Sequence, residues 1–364
     1  MSRVRERSSD LLLIDLGREM MTISTAGCPR IYENIRYLVF KRVPRDFSRT
    51  DLDRYCREIS REIGLEPEEA TIFLTAVDLS TYAYERVEER DLVVEIYATI
   101  GIEHPICLMS QQDPRGEIGT INIAVITSKS LGRAGLADLF RLVSEIKGVL
   151  LALGGLDCVN SPFIGTASDA TAVAAPAGED RFAGAATELG GVVIKTLTKL
   201  LRRELKRIYS SDFAVRSLGV ENFDELIRLT MKIYRFAAVP GLEESVIERD
   251  LREEYERVLS DPNTILLIRG VRLLEQVLGV DLIPGIDREE YARDAAGLVV
   301  DELLGKALAE YVNGFRGLLA YYWIERLKER DLEEIREKPP LTDDLLSSLI
   351  GGVLSRIYDK YSRR

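Results

Sequence analysis

The hydrophobic periodicity of this chain changes near residue 212, and this change constrains the fold more than any single motif. Before it, β-rich runs such as RYLVFKRV, DLVVEIYATI and TINIAVIT alternate with segments of helical spacing. After YSSDFAVRSLG, six successive stretches have helical spacing and none has the pattern of a strand. We therefore predict an N-terminal α/β domain (1–212), with a mixed sheet and covering helices, and an all-α domain (213–364).

Size and charge limit the classes of partner. A chain of 364 residues exceeds the size at which one hydrophobic core usually stops growing, which favours two domains. The 49 basic and 60 acidic side chains give a net charge of −11, which argues against a nucleic-acid binder. Neither a signal peptide nor a run of eighteen apolar residues is evident, so we expect no membrane span and a cytoplasmic protein. The sequence leaves open whether the chain forms a homo-oligomer.

Two features of the composition bear on the cellular setting. The chain has few Gln and Asn residues and many Arg and Glu residues, a balance that favours a thermophilic source. Zinc sites usually place two cysteines two to four residues apart, whereas the cysteines here are far from one another. We predict reduced, buried or incidental thiols at Cys28, Cys56, Cys107 and Cys158.

The second half has a restricted choice of chemistry, because residues 213–364 contain neither histidine nor cysteine. Carboxylates remain, as the pairs Asp301–Glu302 and Asp343–Asp344. Paired carboxylates can hold Mg²⁺ together with a substrate phosphate. In a continuous helix Asp294, Asp301 and Gly305 would share one face. The helix dipole also favours acidic side chains in a first helical turn, whether or not they have a function. The residues alone therefore leave open whether these pairs bind a metal or only stabilise helix starts.

In the first half, two Gly-Thr turns each precede an extended apolar run: Gly119 to Asn122, and GTASD at 165–169. Such turns can lie side by side at one sheet edge, where hydroxyl, backbone and carboxylate groups could converge on an amide. Glu145 and Lys147, two residues apart on a helix, would not face one another. The only histidine, His104, has no catalytic partner recognisable in the sequence. For each Gly-Thr pair, an ordinary turn without a function remains the alternative interpretation.

Six ordered motifs over residues 15–208 resemble the adenosylcobinamide amidohydrolase family. They are TAVDLS (75–80), ATIGIEHP (98–105), GTINIAVITSKSL (from 119), SEIKGVLLALGGLD (from 144), IGTASDATAVAAP (from 164) and RFAGAATELGGVV (from 181). The resemblance implies hydrolysis of the amide between the aminopropanol arm and the corrin ring, releasing adenosylcobyric acid and 1-amino-2-propanol. A corrinoid is large and carries amides around its edge, and a turn of small side chains would let backbone groups approach these amides. We therefore expect a site-lining turn at 165–169, followed by a buried strand at 170–175.

The resemblance also suggests roles for individual residues. Asp169 or Glu145 would activate water, Lys147 or the backbone of 165–168 would stabilise the oxyanion, and Asn122 would orient the amide. The further candidates are Thr166 and Ser168 for catalysis, and Gly119, Thr120, Gly165 and Asp78 for substrate binding. No cofactor is certain for this half, and the sequence leaves open whether it needs a metal.

Residues 221–361 resemble the phosphatidylglycerophosphatase A superfamily, in its α-ribazole-phosphate phosphatase branch. The matching pieces are DAAGLVVDELLGKALAEYVNG, the pair Lys338–Pro339 and DDLLSSLIGGVLSRIY. The resemblance implies Mg²⁺ held by the two carboxylate pairs, catalysis by Asp301 and Glu302, substrate contact by Lys338, and α-ribazole 5′-phosphate as substrate. The fusion itself resembles a bifunctional corrinoid-salvage enzyme of archaea. A lipid phosphatase, or a non-catalytic corrinoid-binding protein, is the alternative.

Overall fold

A computed structural model describes most of the chain, and its residues cluster into two units. The described residues are 2–102, 105–109, 119–154, 158, 161–208, 211–293 and 298–362, with the side chains of 211–213 excepted. The main break between the units falls between Arg207 and Ile208. Strands occur before this break, and the described residues after it form helices. The predicted division into a mixed α/β part and a helical part is confirmed.

The first unit is built on one large mixed sheet. Its strands are β1 (Arg3–Arg7), β2 (Leu11–Ser24), β3 (Arg30–Arg42), β4 (Ala70–Thr75), β5 (Ala83–Glu89), β6 (Leu92–Ile100), β8 (Ile121–Thr127) and β10 (Ala170–Ala175); β7 (Pro105–Cys107) and β9 (Phe163–Thr166) form a separate antiparallel pair. The order in the large sheet is β4-β3-β2-β10-β8-β6-β5, and β1 pairs with β2. Strands β8 and β10 are parallel neighbours at the centre and are fully buried. Near-continuous apolar runs are typical of such strands.

Three helices accompany this sheet: α1 (Leu52–Glu62), α2 (Arg133–Gly154) and α3 (Glu188–Ile208). Helix α2 packs against β10. Helix α1 buries Cys56 and Ile59 against Val39 and Ile72 of strands β3 and β4. These helices lie between or after the strands, as the alternation of β-rich runs with segments of helical spacing predicts.

The prediction of reduced thiols is wrong. Cys28 and Cys56 form a disulfide with their Cα atoms 6.0 Å apart, and no cysteine is free. The reason is tertiary, because the segment after β2 lies on β4, where the Cys28 amide donates to the Ile72 carbonyl at 3.3 Å. Helix α1 packs on the same strands, which brings together two cysteines 28 residues apart in sequence.

The second unit is helical. Its helices are α4 (Ser211–Arg216), α5 (Phe223–Tyr234), α6 (Glu244–Leu259), α7 (Pro262–Leu278), α8 (Arg288–Ala292), α9 (Val300–Asp331), α10 (Glu333–Arg336) and α11 (Pro340–Ser362). Among the described residues, no helix combines the length and the apolar character that crossing a membrane requires. Helix α11 is central, since it is almost entirely buried from Pro340 to Ser355.

Helix α9 reverses direction in its middle. Asn313 and Gly314 have non-helical dihedral angles, and Gly314 has a φ of +56°, which favours glycine. A Cβ on Gly305 would lie 2.9 Å from the Tyr321 hydroxyl, although a straight helix would separate these residues by about 24 Å. The two arms of α9 therefore lie side by side.

Candidate functional site

The two Gly-Thr turns lie side by side at the start of β8 and β10, as predicted. Asn122 of β8 pairs directly with Ala170 of β10. The Ile121 amide donates to Asp169 Oδ1 at 2.8 Å, so the carboxylate of one turn is held by the backbone of the other. Parallel pairing of the two strands therefore creates the local site.

Hydroxyl groups also join the two turns. Ser168 Oγ donates to the Gly119 carbonyl at 3.0 Å and lies 2.9 Å from Thr120 Oγ1. Because the Ser168 proton is engaged by the carbonyl, Thr120 is the donor within the hydroxyl pair. Gly119 therefore contributes its carbonyl oxygen, and Thr120 and Ser168 contribute a directed pair of hydroxyls.

Asp169 is the centre of this cluster. Lys147 Nζ of α2 lies 2.9 Å from Asp169 Oδ2, and the two side chains are only 13% and 11% exposed. Thr166 Oγ1 donates to Asp169 Oδ1. Gly165 lies directly behind the carboxylate, and a Cβ there would overlap Asp169 Oδ2. The structure thus brings Lys147 of α2 to the carboxylate of the 165–169 turn.

A cavity of about 730 Å³ opens over the two turns. It is lined by Ser24, Thr25, Ala26, Gly27, Pro29, Ile31, Val43, Phe47, Arg49, Leu52, Asp53, Leu74, Thr120, Asn122, Ala167, Ser168, Asp169 and Ala170. The segment 24–31 and the start of α1 form walls that the sequence analysis did not identify. Apart from Asp53, the side chains that line these walls are small or apolar and give no catalytic signal, so only the fold reveals them.

Asn122 lies at the base of this cavity and is fully buried. Its Nδ2 donates to the Leu74 carbonyl at 2.9 Å, whereas its Oδ1 has no hydrogen-bond partner among the residues that the structure describes. Thr99, which pairs with Asn122 across β6 and β8, also has a buried hydroxyl without a partner. Buried polar atoms are almost always paired, so these two atoms mark an unusual place in the sheet.

Two other candidates lie apart from the Asp169 cluster. Glu145 is on the exposed face of α2, where it forms an ion pair with Arg141. The Asp78 carboxylate accepts a hydrogen bond from the Ser80 amide at 2.8 Å. Hydrogen bonds from the side chain and the backbone of Ser80 lower the pKa of Asp78. It lines a neighbouring cavity of about 650 Å³. Thr120 lines both cavities, which are therefore neighbours, and Asp78 faces the smaller of the two. His104 lies outside the described residues.

In the second unit, three acids lie close together: Asp301, Glu302 and Asp344. One carboxylate oxygen of each lies within 4.8 Å of the other two. Asp301 and Asp344 are buried, and Glu302 is exposed. This set of oxygen ligands fits Mg²⁺, which accepts a few carboxylates and keeps its remaining positions for water and phosphate. Asp294 lies outside the described residues.

Asp343 lies beside this set but faces a lysine that the sequence analysis missed. Lys328 Nζ is 3.1 Å from Asp343 Oδ1, 3.0 Å from Asp344 Oδ1 and 2.7 Å from Glu325 Oε2. Tyr321 donates to Asp344 Oδ2 at 3.0 Å. In the sequence, Glu325 and Lys328 look like an exposed charge pair at helical spacing, and only the reversal of α9 places them inside.

Burial dominates the acid–base properties of these carboxyls. It raises the pKa of Asp301 to about 7 and that of Glu325 to about 7, with Asp344 nearby adding to both. It raises the pKa of Asp343 to about 9, although Lys328 opposes the effect. Crowded, desolvated carboxylates of this kind are stabilised by a bound cation.

Lys338 has a different environment. Its ammonium donates to the Gly219 carbonyl at 2.5 Å, and burial lowers its pKa. The adjacent start of α11 is held by Thr342, whose hydroxyl donates to Glu275 Oε2 at 2.6 Å. In the structure Lys338 therefore contacts backbone, and the carboxylate set and Lys328 form a separate group.

The first unit identifies the kind of protein. Residues 1–210 match the family model described as adenosylcobinamide amidohydrolase. The match covers more than half of the chain, and it spans both turns, Lys147 and the lining of the larger cavity. The chain belongs to the adenosylcobinamide amidohydrolase family.

Individual proteins agree with this assignment. An adenosylcobinamide amidohydrolase of Methanosarcina mazei is 27% identical over 183 residues, which are 47% of this chain and 84% of that protein. Another, of Halobacterium salinarum, is 29% identical over 174 residues, 45% of this chain and 71% of that protein.

Solved structures also show local similarity. Protein ypjQ from Bacillus subtilis has a TM-score of 0.35 and 20% identity, covering 44% of this chain and 97% of its own. The low temperature requirement C protein from Listeria monocytogenes has a TM-score of 0.35 and 18% identity, covering 42% of this chain and 94% of its own.

Proposed function

We propose that the first unit hydrolyses the amide of adenosylcobinamide, yielding adenosylcobyric acid and 1-amino-2-propanol. The observation that carries this proposal is the cluster around Asp169, which lines a cavity of about 730 Å³ within the part of the chain that matches the family. The cavity combines apolar walls with a few convergent polar groups, as small-molecule sites do.

In the proposed reaction, water attacks the amide carbon and its proton passes to Asp169. The C–N bond then breaks, and the proton is delivered to the leaving amine. Lys147, beside the carboxylate, would stabilise the negative charge that develops on the carbonyl oxygen. Asn122 would orient the amide. We assign the base to Asp169 and not to Glu145, because Asp169 lines the cavity, whereas Glu145 lies on an exposed face of α2 and is not among the lining residues.

A matched pair of variants tests this assignment. Asp169→Asn keeps the shape of the side chain and removes the base, so we expect turnover to fall by about 100-fold or more. Glu145→Gln should stay near wild type. The assay incubates the full chain with adenosylcobinamide and detects aminopropanol by mass spectrometry. Binding without release by the wild type would instead support the non-catalytic corrinoid-binding protein.

For the second unit, we propose a Mg²⁺-dependent phosphomonoester hydrolase that acts on α-ribazole 5′-phosphate. The supporting observation is the oxygen-ligand set of Asp301, Glu302 and Asp344. When bound, Mg²⁺ would neutralise charge on the phosphoryl group. Exposed Glu302 is the residue best placed to meet substrate, and the buried acids would hold the ion.

An assay with two substrates distinguishes this proposal from a phosphatase that acts on a lipid. With Mg²⁺ present, the full chain should release phosphate from α-ribazole 5′-phosphate and not from phosphatidylglycerophosphate. Asp301→Asn should abolish the release and leave amide hydrolysis intact. Release from the lipid alone would instead assign a phosphatidylglycerophosphatase to this unit.

A further inference from the structure

A buried lysine, Lys328, lies among the carboxylates of the second unit. The acids are Asp301, Glu302, Glu325, Asp343 and Asp344. Asp344 belongs to two groups: the oxygen set with Asp301 and Glu302, and the cluster around Lys328. Centres that use two ions place them about 3.5–4 Å apart. Here an ammonium group already lies on one side of the shared carboxylate.

Three carboxylates surround the ammonium group of Lys328. An ammonium has three N–H groups, and Lys328 Nζ has three carboxylate partners, at 2.7 Å from Glu325, 3.1 Å from Asp343 and 3.0 Å from Asp344. The side chain is only 7% exposed. An ammonium that is buried and surrounded by three carboxylates has little access to a phosphate, so the geometry argues against Lys328 as a substrate ligand and for a role in positioning the acids.

The same geometry excludes a second divalent ion from this position. An ion there would compete with Lys328 for the same three carboxylates and would lie against its positive charge, in a site shielded from solvent. Without the ammonium, the buried Asp343 and Asp344 and the partly buried Glu325 would lack a cation, which is costly unless another cation enters.

We propose that Lys328 replaces the second ion, so that this centre holds one divalent ion per chain. The inference rests on the proposed phosphatase function. Lys328 acts as a positioning residue: it neutralises Asp343 and Glu325 and orients Asp344 toward Asp301 and Glu302.

Counting bound ions tests the proposal without relying on turnover. The full chain is titrated with Mn²⁺ by calorimetry, and ions bound elsewhere are subtracted with the double variant Asp301→Asn, Asp344→Asn. We expect one ion at this centre in the wild type and in Lys328→Arg. Lys328→Met, which keeps the length and removes the charge, should bind two, and its electron paramagnetic resonance spectrum should show two coupled Mn²⁺ ions.

Two results would overturn the proposal: two ions in the wild type, or a single ion in a folded Lys328→Met variant. If thermal unfolding shows that Lys328→Met is not folded, the spectrum of the wild type decides, because a coupled pair there contradicts the proposal. If the wild type binds one Mn²⁺ ion at this centre but releases no phosphate from α-ribazole 5′-phosphate, the proposed phosphatase function is rejected. The role of Lys328 in replacing a second ion would still stand.

Discussion

The side-chain amide of Asn122 donates to the Leu74 carbonyl at 2.9 Å, which joins strands β8 and β4. Three strands separate β4 from β8 in the sheet order, so in a flat sheet the two would lie about 19 Å apart. The sheet must therefore curve back on itself, and the larger cavity lies where its two parts meet. Asn122 is a structural link as well as a candidate for orienting substrate.

The first prediction concerns this link. Asn122→Ala removes the donor and leaves the Leu74 carbonyl buried without a partner, which should lower the free energy of unfolding by about 1–3 kcal/mol. Urea unfolding measures the change. Thr99→Val is the matched control, because it removes a buried hydroxyl that has no partner and keeps the shape. It should leave stability unchanged or raise it by about 1 kcal/mol, and a loss similar to that of Asn122→Ala would contradict the interpretation.

The second prediction concerns Gly165. A methyl group there would overlap Asp169 Oδ2 and displace the carboxylate from Lys147, so Gly165→Ala should reduce amide hydrolysis by about 100-fold. Steady-state kinetics with adenosylcobinamide measures the effect. Gly191→Ala, in open space on α3, should keep activity and stabilise the chain by about 1 kcal/mol. Equal activity of the two variants would show that the position of Asp169 is unimportant.

The third prediction concerns the disulfide. Cys28 and Cys56 close a loop of 28 residues, for which chain entropy predicts a stabilisation of about 3–4 kcal/mol. The double variant Cys28→Ser, Cys56→Ser should lose this amount in urea unfolding under oxidising conditions. Because the disulfide joins the segment 24–29 to α1, which both line the larger cavity, KM for the corrinoid should rise more than kcat falls. A wild-type KM in the variant would mean that packing alone holds these walls.

The fourth prediction is a pH dependence of the second unit. Burial would raise the pKa of Asp250, but hydrogen bonds from Lys360, Tyr361 and Arg249 outweigh it and hold the pKa below the usual value. A lowered pKa adds stability above about pH 4, and this contribution is lost as the pH falls through the folded-state value.

Asp250→Asn should therefore destabilise the chain at pH 7, and its difference from the wild type should shrink as the pH is lowered toward 3. Unfolding at a series of pH values measures this trend. A constant difference across the series would show that the ionised carboxylate makes no contribution.

The turn positions were predictable because their signals are local. Each Gly-Thr pair precedes an apolar run, and adjacent parallel strands place such turns at one edge. The ion pair between Lys147 and Asp169 was harder to predict from the sequence. Both residues were candidates, but spacing within α2 shows only that Glu145 and Lys147 point in different directions, and not which of them faces the sheet.

Lys328 and Tyr321 could not be predicted at all. In a straight helix, Lys328 would lie about 40 Å from Asp301, which begins the same helix. The positive φ of Gly314 reverses the chain and brings both residues to the start of α11. A glycine among helix-forming residues predicts a break, but it does not tell which residues meet across it.

The sequence by itself determined the two-part organisation, the class of each part, and the residue types available for chemistry, since hydrophobic period and composition act over short stretches. Only the tertiary structure decided which of those residues act together. Curvature of the sheet placed Asn122 on Leu74, packing of α1 joined Cys28 to Cys56, and the reversal of α9 placed Lys328 among the acids. These contacts depend on side chains that are distant in sequence, and they form only when burial of the core brings whole elements together.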